Sequence, residues 1–110
     1  MLVGRNMAQI SWDCSIAPVL EMIGVKWTIN VLWQIQKHEG IRFNQLNRDV
    51  KGITTIMLTR TLDKLMADGL VSKKDFQENP PHVEYFLTDK GSSLMPLLRE
   101  LSQWGQDWRD

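Results

Sequence analysis

The sequence predicts one mainly α-helical domain that carries a single small β-hairpin. Three observations support this fold class: 43% of the 110 residues are hydrophobic, apolar residues recur at helical spacing along most of the chain, and the spacing becomes alternating only after Gly69. A chain of this length can bury about two-thirds of the surface that its unfolded form exposes, which is enough for an ordinary core. We therefore expect a single domain over residues 1–110.

Apolar spacing predicts two helices in the first third of the chain. The first begins near Ser15, has Pro18 in its first turn and ends at Gly24. The second runs from Lys26 to about Lys37 and is strongly apolar, with two tryptophans that we expect to find in the core. It ends at the turn signal around Gly40.

Two shorter helical patterns follow, separated by a turn at Gly52. The third helix is predicted over Phe43–Asp49, and the fourth runs to Asp68 from an N-terminal cap at Thr54 or Thr55. A helix, a tight glycine-containing turn and a second helix form the helix-turn-helix layout. A projection at about 100° per residue gives the fourth helix one core-facing side. That side carries Leu58, Thr61, Leu62 and Leu65.

Alternating residues predict a β-hairpin, and a long helix ends the chain. The strands are expected over Leu70–Phe76 and Val83–Leu87, with a long loop between them because two prolines there exclude a tight turn. Thr88 can cap the last helix, which reaches about Trp108. Pro96 lies inside this helix and is expected to kink or break it.

The exposed side of the fourth helix suits the major groove of DNA. In the helix-turn-helix layout the second helix enters that groove, while the first contacts the backbone. Threonine hydroxyls can reach base edges, arginine can pair with guanine, and isoleucine can pack on a thymine methyl group. The alternative is an ordinary solvated helix that carries one arginine. The residues predicted to read bases are Thr55, Ile56, Thr59 and Arg60.

Charge along the chain is uneven, although the formal net charge is zero. Residues 41–74 hold seven basic and three acidic side chains, and residues 75–110 hold the reverse. A phosphate backbone responds to local charge within about 8 to 10 Å, so the middle segment can attract DNA. Such gradients are also common in small domains that bind no nucleic acid. The residues predicted to contact the DNA backbone are Arg42, Asn44, Thr54, Lys64, Lys73, Lys74 and His82.

Several function classes are excluded by residues that the sequence lacks. No run approaches the ~18 to 20 apolar residues that span a bilayer, and Met1–Ile10 does not resemble a signal peptide. Cys14 is the only cysteine, so no intramolecular disulfide or cysteine-rich zinc site can form. The two histidines have no nucleophile and carboxylate beside them, and there is no glycine-rich phosphate loop. We expect a cytoplasmic protein without enzymatic activity, cofactor, metal or membrane contact.

An ordered set of short motifs resembles one family of regulators. The motifs are residues 24–28 (GVKWT), 42–46 (RFNQL), 52–54 (GIT), 58–59 (LT), 62–71 (LDKLMADGLV), 81–85 (PHVEY) and 87–91 (LTDKG). Together they resemble the HxlR-type winged-helix transcription regulators, which are related to the MarR group, over about residues 14–105. The resemblance implies a homodimeric, cytoplasmic bacterial DNA-binding regulator that is not an enzyme and that dimerises through its terminal helices. Two residues depart from the family pattern: Val25 replaces a common second glycine, and Ile56 replaces a polar residue.

The terminal helices carry more apolar residues than one small core readily absorbs. An apolar stripe that reaches the end of a chain would be a liability if it stayed exposed. We therefore expect a homodimer, with simple packing of the helices on their own domain as the alternative. The predicted interface comprises Ile16, Val19, Leu20, Leu94, Leu98, Leu101, Trp104 and Trp108.

Cys14 is expected just ahead of the first helix. A helix N-terminus lowers the pKa of a thiol and makes it more reactive, whereas the neighbouring Asp13 would raise that pKa. Some members of the family that the sequence resembles use a cysteine in this region to sense quinones, electrophiles or disulfide stress. The alternative is a buried thiol that acts as a small hydrophobic group.

These observations predict a sequence-specific DNA-binding regulator that acts as a homodimer on an inverted-repeat operator and responds to a small-molecule or oxidant effector. The alternative from another class is a winged-helix protein-interaction module that does not bind DNA. Salt dependence separates the two, because DNA binding through phosphate contacts weakens steeply as salt rises.

Overall fold

The computed structural model describes residues 11–24 and 26–109. The main elements are α1 (Ser11–Ile23), α2 (Thr28–Lys37), α3 (Phe43–Asp49), α4 (Thr55–Ala67), β1 (Val71–Asp75), β2 (Val83–Leu87) and α5 (Asp89–Asp107). The predicted fold class, mainly helical with one hairpin, is confirmed. Within the described ranges no single helix is long and apolar enough to cross a membrane. Only the bent pair Ser15–Ile23 and Thr28–Lys37, which meet at 72°, reaches the required length and composition together.

Both long helices after the turn at Gly52 begin at threonine caps that the sequence predicted. The Thr54 hydroxyl accepts a hydrogen bond from the Met57 amide at 3.1 Å, and the Thr88 hydroxyl accepts one from the Gly91 amide at 3.0 Å. Each cap satisfies an amide that the first helical turn leaves without a partner. The caps explain why the N-terminal ends of α4 and α5 were predictable from local sequence.

The core lies between α2, the inner side of α4 and the first half of α5. Val31, Leu32 and Ile35 of α2 are fully buried at its centre. The predicted core side of α4 is confirmed, because its four buried residues are the four that the helical projection selected. The tryptophans of the second helical segment, Trp27 and Trp33, are half-buried and pack against this core.

The hairpin is attached to the helices by the segment that precedes α3. β1 and β2 pair antiparallel, in a register from Val71 opposite Leu87 to Asp75 opposite Val83. Tyr85 of β2 also bridges to Ile41: the Tyr85 amide donates to the Ile41 carbonyl at 3.0 Å. The hairpin therefore lies beside the start of α3, as the wing of a winged helix does.

The largest differences from the predicted elements lie in α1, α2 and α5. α1 begins at Ser11, so Pro18 lies inside the helix and not in its first turn. α2 begins at Thr28, two residues later than predicted. α5 runs on through Pro96, and the predicted break there is wrong. Met95 and Leu98 are buried on either side of this proline, and their packing holds the helix together across the missing hydrogen bond.

Candidate nucleic-acid interface

The turn between α3 and α4 is fixed by the side chain of Asn47. Its amide nitrogen donates to the Ile53 carbonyl at 3.2 Å, and its amide oxygen accepts from the Thr55 hydroxyl at 3.0 Å. Gly52 supplies the positive φ of 89° that the tight turn requires. Asn47 thereby sets the direction in which α4 leaves the turn. Sequence reasoning missed this residue, although an amide side chain five residues before the glycine was a usable signal.

The structure brings the four predicted base-reading residues together on the exposed side of α4. Ile56 is 68% exposed at the first turn, and Arg60 lies one turn further along. The Thr59 hydroxyl donates to the Thr55 carbonyl at 3.0 Å, and the Thr55 hydroxyl donates to Asn47. Both hydroxyl protons are thus used within the protein, and the oxygen lone pairs are left to accept. Among the described residues Arg60 makes no side-chain hydrogen bond or ion pair.

The residues outside the wing that are predicted to contact the DNA backbone fall into two groups. Arg42 and Asn44 lie exposed at the start of α3. Thr54 and Lys64 are already engaged, since Thr54 caps α4 and the Lys64 ammonium is 2.8 Å from an Asp68 carboxylate oxygen. An exposed pair of this kind contributes about 0 to 1 kcal/mol, so Lys64 can exchange Asp68 for a phosphate at little cost.

The lysines of the wing, Lys73 and Lys74, are both exposed on β1. They stand opposite Tyr85 and Glu84 respectively. Because successive side chains of a strand point to opposite faces, a single DNA surface can meet only one of the two lysines directly. The Lys74 ammonium lies 4.8 Å from the centre of the Phe76 ring, which leaves Lys73 as the wing cation without a partner among the described residues.

His82 does not suit the predicted phosphate contact. Its two ring nitrogens lie 3.0 Å from a Glu78 carboxylate oxygen and 2.8 Å from a Glu84 carboxylate oxygen. The ring also stacks on Phe76, with 4.2 Å between centroids. A phosphate at His82 would meet the negative charge of both carboxylates, so this geometry does not favour the backbone contact, which stays a prediction.

The second half of α5 projects from the domain. Arg99 donates to Gln36 at 3.0 Å, and every residue from 100 to 109 beyond this contact is exposed. Among the predicted interface residues, Leu98 is 4% exposed and belongs to the domain core, and Leu94 is half-buried against it. Leu97 is 61% exposed, and sequence reasoning missed it. The exposed apolar stripe of α5 comprises Leu97, Leu101, Trp104 and Trp108.

The predicted interface residues of α1 remain at the surface. Ile16 and Leu20 are exposed, and Val19 is half-buried. Cys14 is the fourth residue of α1, so the expectation that it precedes the first helix is wrong. Its side chain lies outside the part of the chain that the structure describes. Within that part, no group of three or more histidine, cysteine and acidic residues could hold a metal ion.

Comparison with known proteins agrees with this geometry. The model of the HxlR-like helix-turn-helix family matches residues 22–110. An HTH-type transcriptional regulator of Methanothermobacter thermautotrophicus is 41% identical over 103 residues, which cover 94% of this chain and 78% of that protein. The redox regulator HypR in its reduced form has a TM-score of 0.81 at 35% identity, covering 87% of this chain and 94% of that one. A MarR-family regulator from Enterococcus faecalis has a TM-score of 0.81 at 34% identity, covering 92% and 91%. The chain therefore belongs to the HxlR-like helix-turn-helix family of transcriptional regulators.

Proposed function

We propose that this chain is a cytoplasmic, sequence-specific regulator that binds double-stranded DNA as a homodimer on an inverted-repeat operator. The observation that carries the proposal is the exposed surface at the start of α4, where Thr55, Ile56, Thr59 and Arg60 lie together on a helix held by Asn47. Membership of a helix-turn-helix family supports DNA as the partner.

The chemistry of α4 suggests which base each side chain would read. Arg60 can donate two hydrogen bonds to the O6 and N7 atoms of guanine, and Ile56 can pack on a thymine methyl group. Because the protons of Thr55 and Thr59 are used within the protein, their oxygens can accept from the amino group of adenine or cytosine. Each well-placed base contact contributes about 1 to 3 kcal/mol of discrimination.

Contacts to the backbone would come from the start of α3 and from the wing. Arg42 and Asn44 are exposed at the start of α3, and Lys73 is exposed on β1 of the wing. Thr54 and Lys64 would add contacts after giving up part of their present interactions. These groups supply affinity but no sequence information, so they predict binding to any duplex at low salt.

The exposed apolar stripe of α5, with Ile16 and Leu20 of α1, is the proposed dimer interface. Two α4 helices related by a dyad would read half-sites about 34 Å apart, one turn of DNA. Sedimentation at micromolar concentration tests this assignment. We expect a dimer for the wild type and a monomer for Trp104→Ala, with Arg109→Ala as an exposed control that stays dimeric.

Binding to DNA is tested by a salt series with a labelled random duplex and with an operator selected from the parent genome. We expect affinity for both to fall steeply as salt rises, with the operator bound more tightly throughout. A protein-interaction module would bind neither duplex at any salt concentration, and that result would favour the alternative function.

A redox response is the second candidate, and the similarity to the redox regulator HypR favours it. With one cysteine per chain, a disulfide at Cys14 must join two subunits or join Cys14 to a small thiol. In either case two thiols lose two electrons and two protons to the oxidant and form one disulfide. Operator affinity before and after diamide treatment, for the wild type and Cys14→Ser, tests this response. Unchanged affinity of a wild type whose thiol is shown to be oxidised would refute it.

A further inference from the structure

Two lysines and a tryptophan lie together at the turn between α3 and α4. The Cη2 atom of Trp27 is 3.7 Å from the position that a Cβ atom on Gly52 would occupy, so the ring lies against this turn. The Lys26 ammonium lies over the Trp27 ring, 4.7 Å from its centroid. Lys51 directly precedes Gly52 and is exposed. Lys26, Trp27 and Lys51 form the turn site.

The tryptophan ring holds the Lys26 ammonium without using its hydrogen-bond donors. A cation is attracted electrostatically to the face of an aromatic ring, and tryptophan is the most effective of the aromatic side chains. Trp27 is half-buried and packs against the core, which makes the ring a fixed support. The N–H groups of the Lys26 ammonium therefore stay available to an anion.

The positive charge of the turn site is not neutralised within the part of the chain that the structure describes. None of the ion pairs formed there involves Lys26 or Lys51. The acidic residue nearest to Lys51 in sequence is Asp49, and Gln45 donates to both of its carboxylate oxygens, at 3.0 and 2.9 Å. Two lysines of the same charge thus lie beside one ring, and their fields add at the surface of the turn.

The turn site lies close to the end of α4 that would enter the major groove. Thr55, the first residue of α4, is four positions after Lys51, so their Cα atoms are at most about 14 Å apart. The major groove is about 12 Å wide, and the N-terminal residues of a recognition helix contact its bases. A long side chain at the turn therefore reaches the phosphates that border the groove.

The turn site is separated by α3 from the backbone contacts proposed at the start of that helix. Arg42 precedes α3 and Lys51 follows it, and a helix of seven residues spans about 10 Å. Each strand of B-DNA carries one phosphate per about 3.4 Å of helix axis. Cations at the two ends of α3 would therefore meet different phosphates.

We propose that Lys26 and Lys51 bind backbone phosphates beside the half-site that α4 reads, and that Trp27 positions Lys26 for this contact. The ligand of the turn site is the phosphodiester group, so the site adds affinity without sequence information. The inference rests on the proposed function. It adds phosphate contacts that neither the start of α3 nor the wing supplies.

The salt dependence of binding to a random duplex tests the two lysines. The logarithm of the binding constant falls with the logarithm of the salt concentration, with a slope of about −0.9 for each phosphate contact. Lys26→Gln and Lys51→Gln should each make the slope shallower by about 0.9 for each bound subunit. Lys26→Arg and Lys51→Arg keep the charge and should keep the wild-type slope. Arg99→Gln, which removes the same charge from α5, is the matched control and should also keep it.

Two results of the salt series would count against the proposal, and they are distinguishable. A wild type that binds no duplex at any salt concentration would defeat the proposed function and this contact together. A wild type that binds, with the same slope for Arg99→Gln and for the double variant Lys26→Gln/Lys51→Gln, would overturn the turn site alone.

The positioning role of Trp27 is tested by a double-mutant cycle with Lys26. Trp27→Leu keeps an apolar side chain against the core and removes the ring face. It should weaken duplex binding in the wild type and leave the affinity of Lys26→Gln unchanged, because the positioned ammonium is already absent there. An equal loss in both backgrounds would show that Trp27 acts only through the structure of the domain.

Ethylation interference on the selected operator tests whether the turn site has phosphates of its own. An ethyl group removes the charge of one phosphate, so it weakens binding only where the protein uses that charge. We expect the double variant Lys26→Gln/Lys51→Gln to lose interference at phosphates where Arg42→Gln keeps it, and the reverse for the phosphates of Arg42. Loss at the same phosphates in both proteins would overturn a separate site at the turn.

Discussion

The α3–α4 unit and the terminal helices use apolar residues in opposite ways. In α4 the inward positions are buried and the outward positions carry hydroxyls, one arginine and one isoleucine. In the second half of α5 the large apolar residues are exposed, and Trp108 reaches 76% exposure. The dimensions of 58 × 33 × 25 Å reflect this projecting helix. The core side of α4 is buried within the described part of one chain, whereas the second half of α5 presents apolar residues that no other described residue covers, and we propose that a partner copy buries them.

The largest expected difference between the two regions is in the loss of stability when a leucine of each is replaced by alanine. Leu58→Ala on α4 should lower the free energy of unfolding by about 2 to 5 kcal/mol, because Leu58 is fully buried and a cavity remains. This loss should be the same at every protein concentration. Leu101→Ala, at 55% exposure, should lower stability only where the dimer forms, so its effect should vanish on dilution. Urea denaturation at two protein concentrations measures both, and a concentration-independent loss for Leu101→Ala would place that residue in the monomer core.

Removing the two hydrogen bonds of Asn47 should loosen the attachment of α4 to the turn without creating a cavity in the core. Asn47→Ala leaves the Ile53 carbonyl and the Thr55 hydroxyl without their partner, and should cost about 1 to 3 kcal/mol in operator binding. Binding to random duplex should change less, since phosphate contacts tolerate a small tilt of the helix. Asn47→Asp keeps the acceptor for Thr55 and loses the donor to Ile53, so an intermediate affinity is expected. If both variants bind the operator as tightly as the wild type does, Asn47 does not position α4.

The smallest expected effect concerns Tyr85, which anchors the wing to the helices. Burial raises the pKa of the Tyr85 hydroxyl above its ordinary value of 10.0, and the negative charge of Asp63 adds to this shift. The folded protein therefore keeps the phenol proton at a pH where the unfolded chain loses it. Stability due to this group is present below about pH 10 and decreases as pH rises above that value.

Urea denaturation at about pH 8 and about pH 11 should show this dependence. The difference between wild type and Tyr85→Phe should change with pH, because phenylalanine has no proton to lose. Parallel pH dependence of the two proteins would show that Tyr85 ionises equally in the folded and unfolded states.

Features that depend on neighbouring residues were predictable from the sequence. The bounds of α3, the caps at Thr54 and Thr88 and the buried side of α4 all agree with the structure. Each of them is set within one or two helical turns, by a hydroxyl, a glycine or the 3.6-residue period. The same local signals placed the four exposed residues of α4 side by side.

Features that depend on contacts between distant elements were not predictable in this way. Leu98 and Leu97 are adjacent in sequence, and only packing against the rest of the domain decides that Leu98 is buried. The pairing of His82 with Glu84 requires the hairpin register, and the Asn47 link requires the folded turn. Trp27 meets the turn at Gly52 only because α2 packs against α3 and α4.

In the proposed complex α4 reads bases while the wing contacts only the backbone. This division of roles is tested by comparing Arg60→Ala and Lys73→Ala on the selected operator and on a random duplex of equal length. We predict that Arg60→Ala loses about 1 to 3 kcal/mol on the operator and much less on the random duplex, whereas Lys73→Ala weakens both about equally. An equal loss on both duplexes for Arg60→Ala would contradict base reading by Arg60.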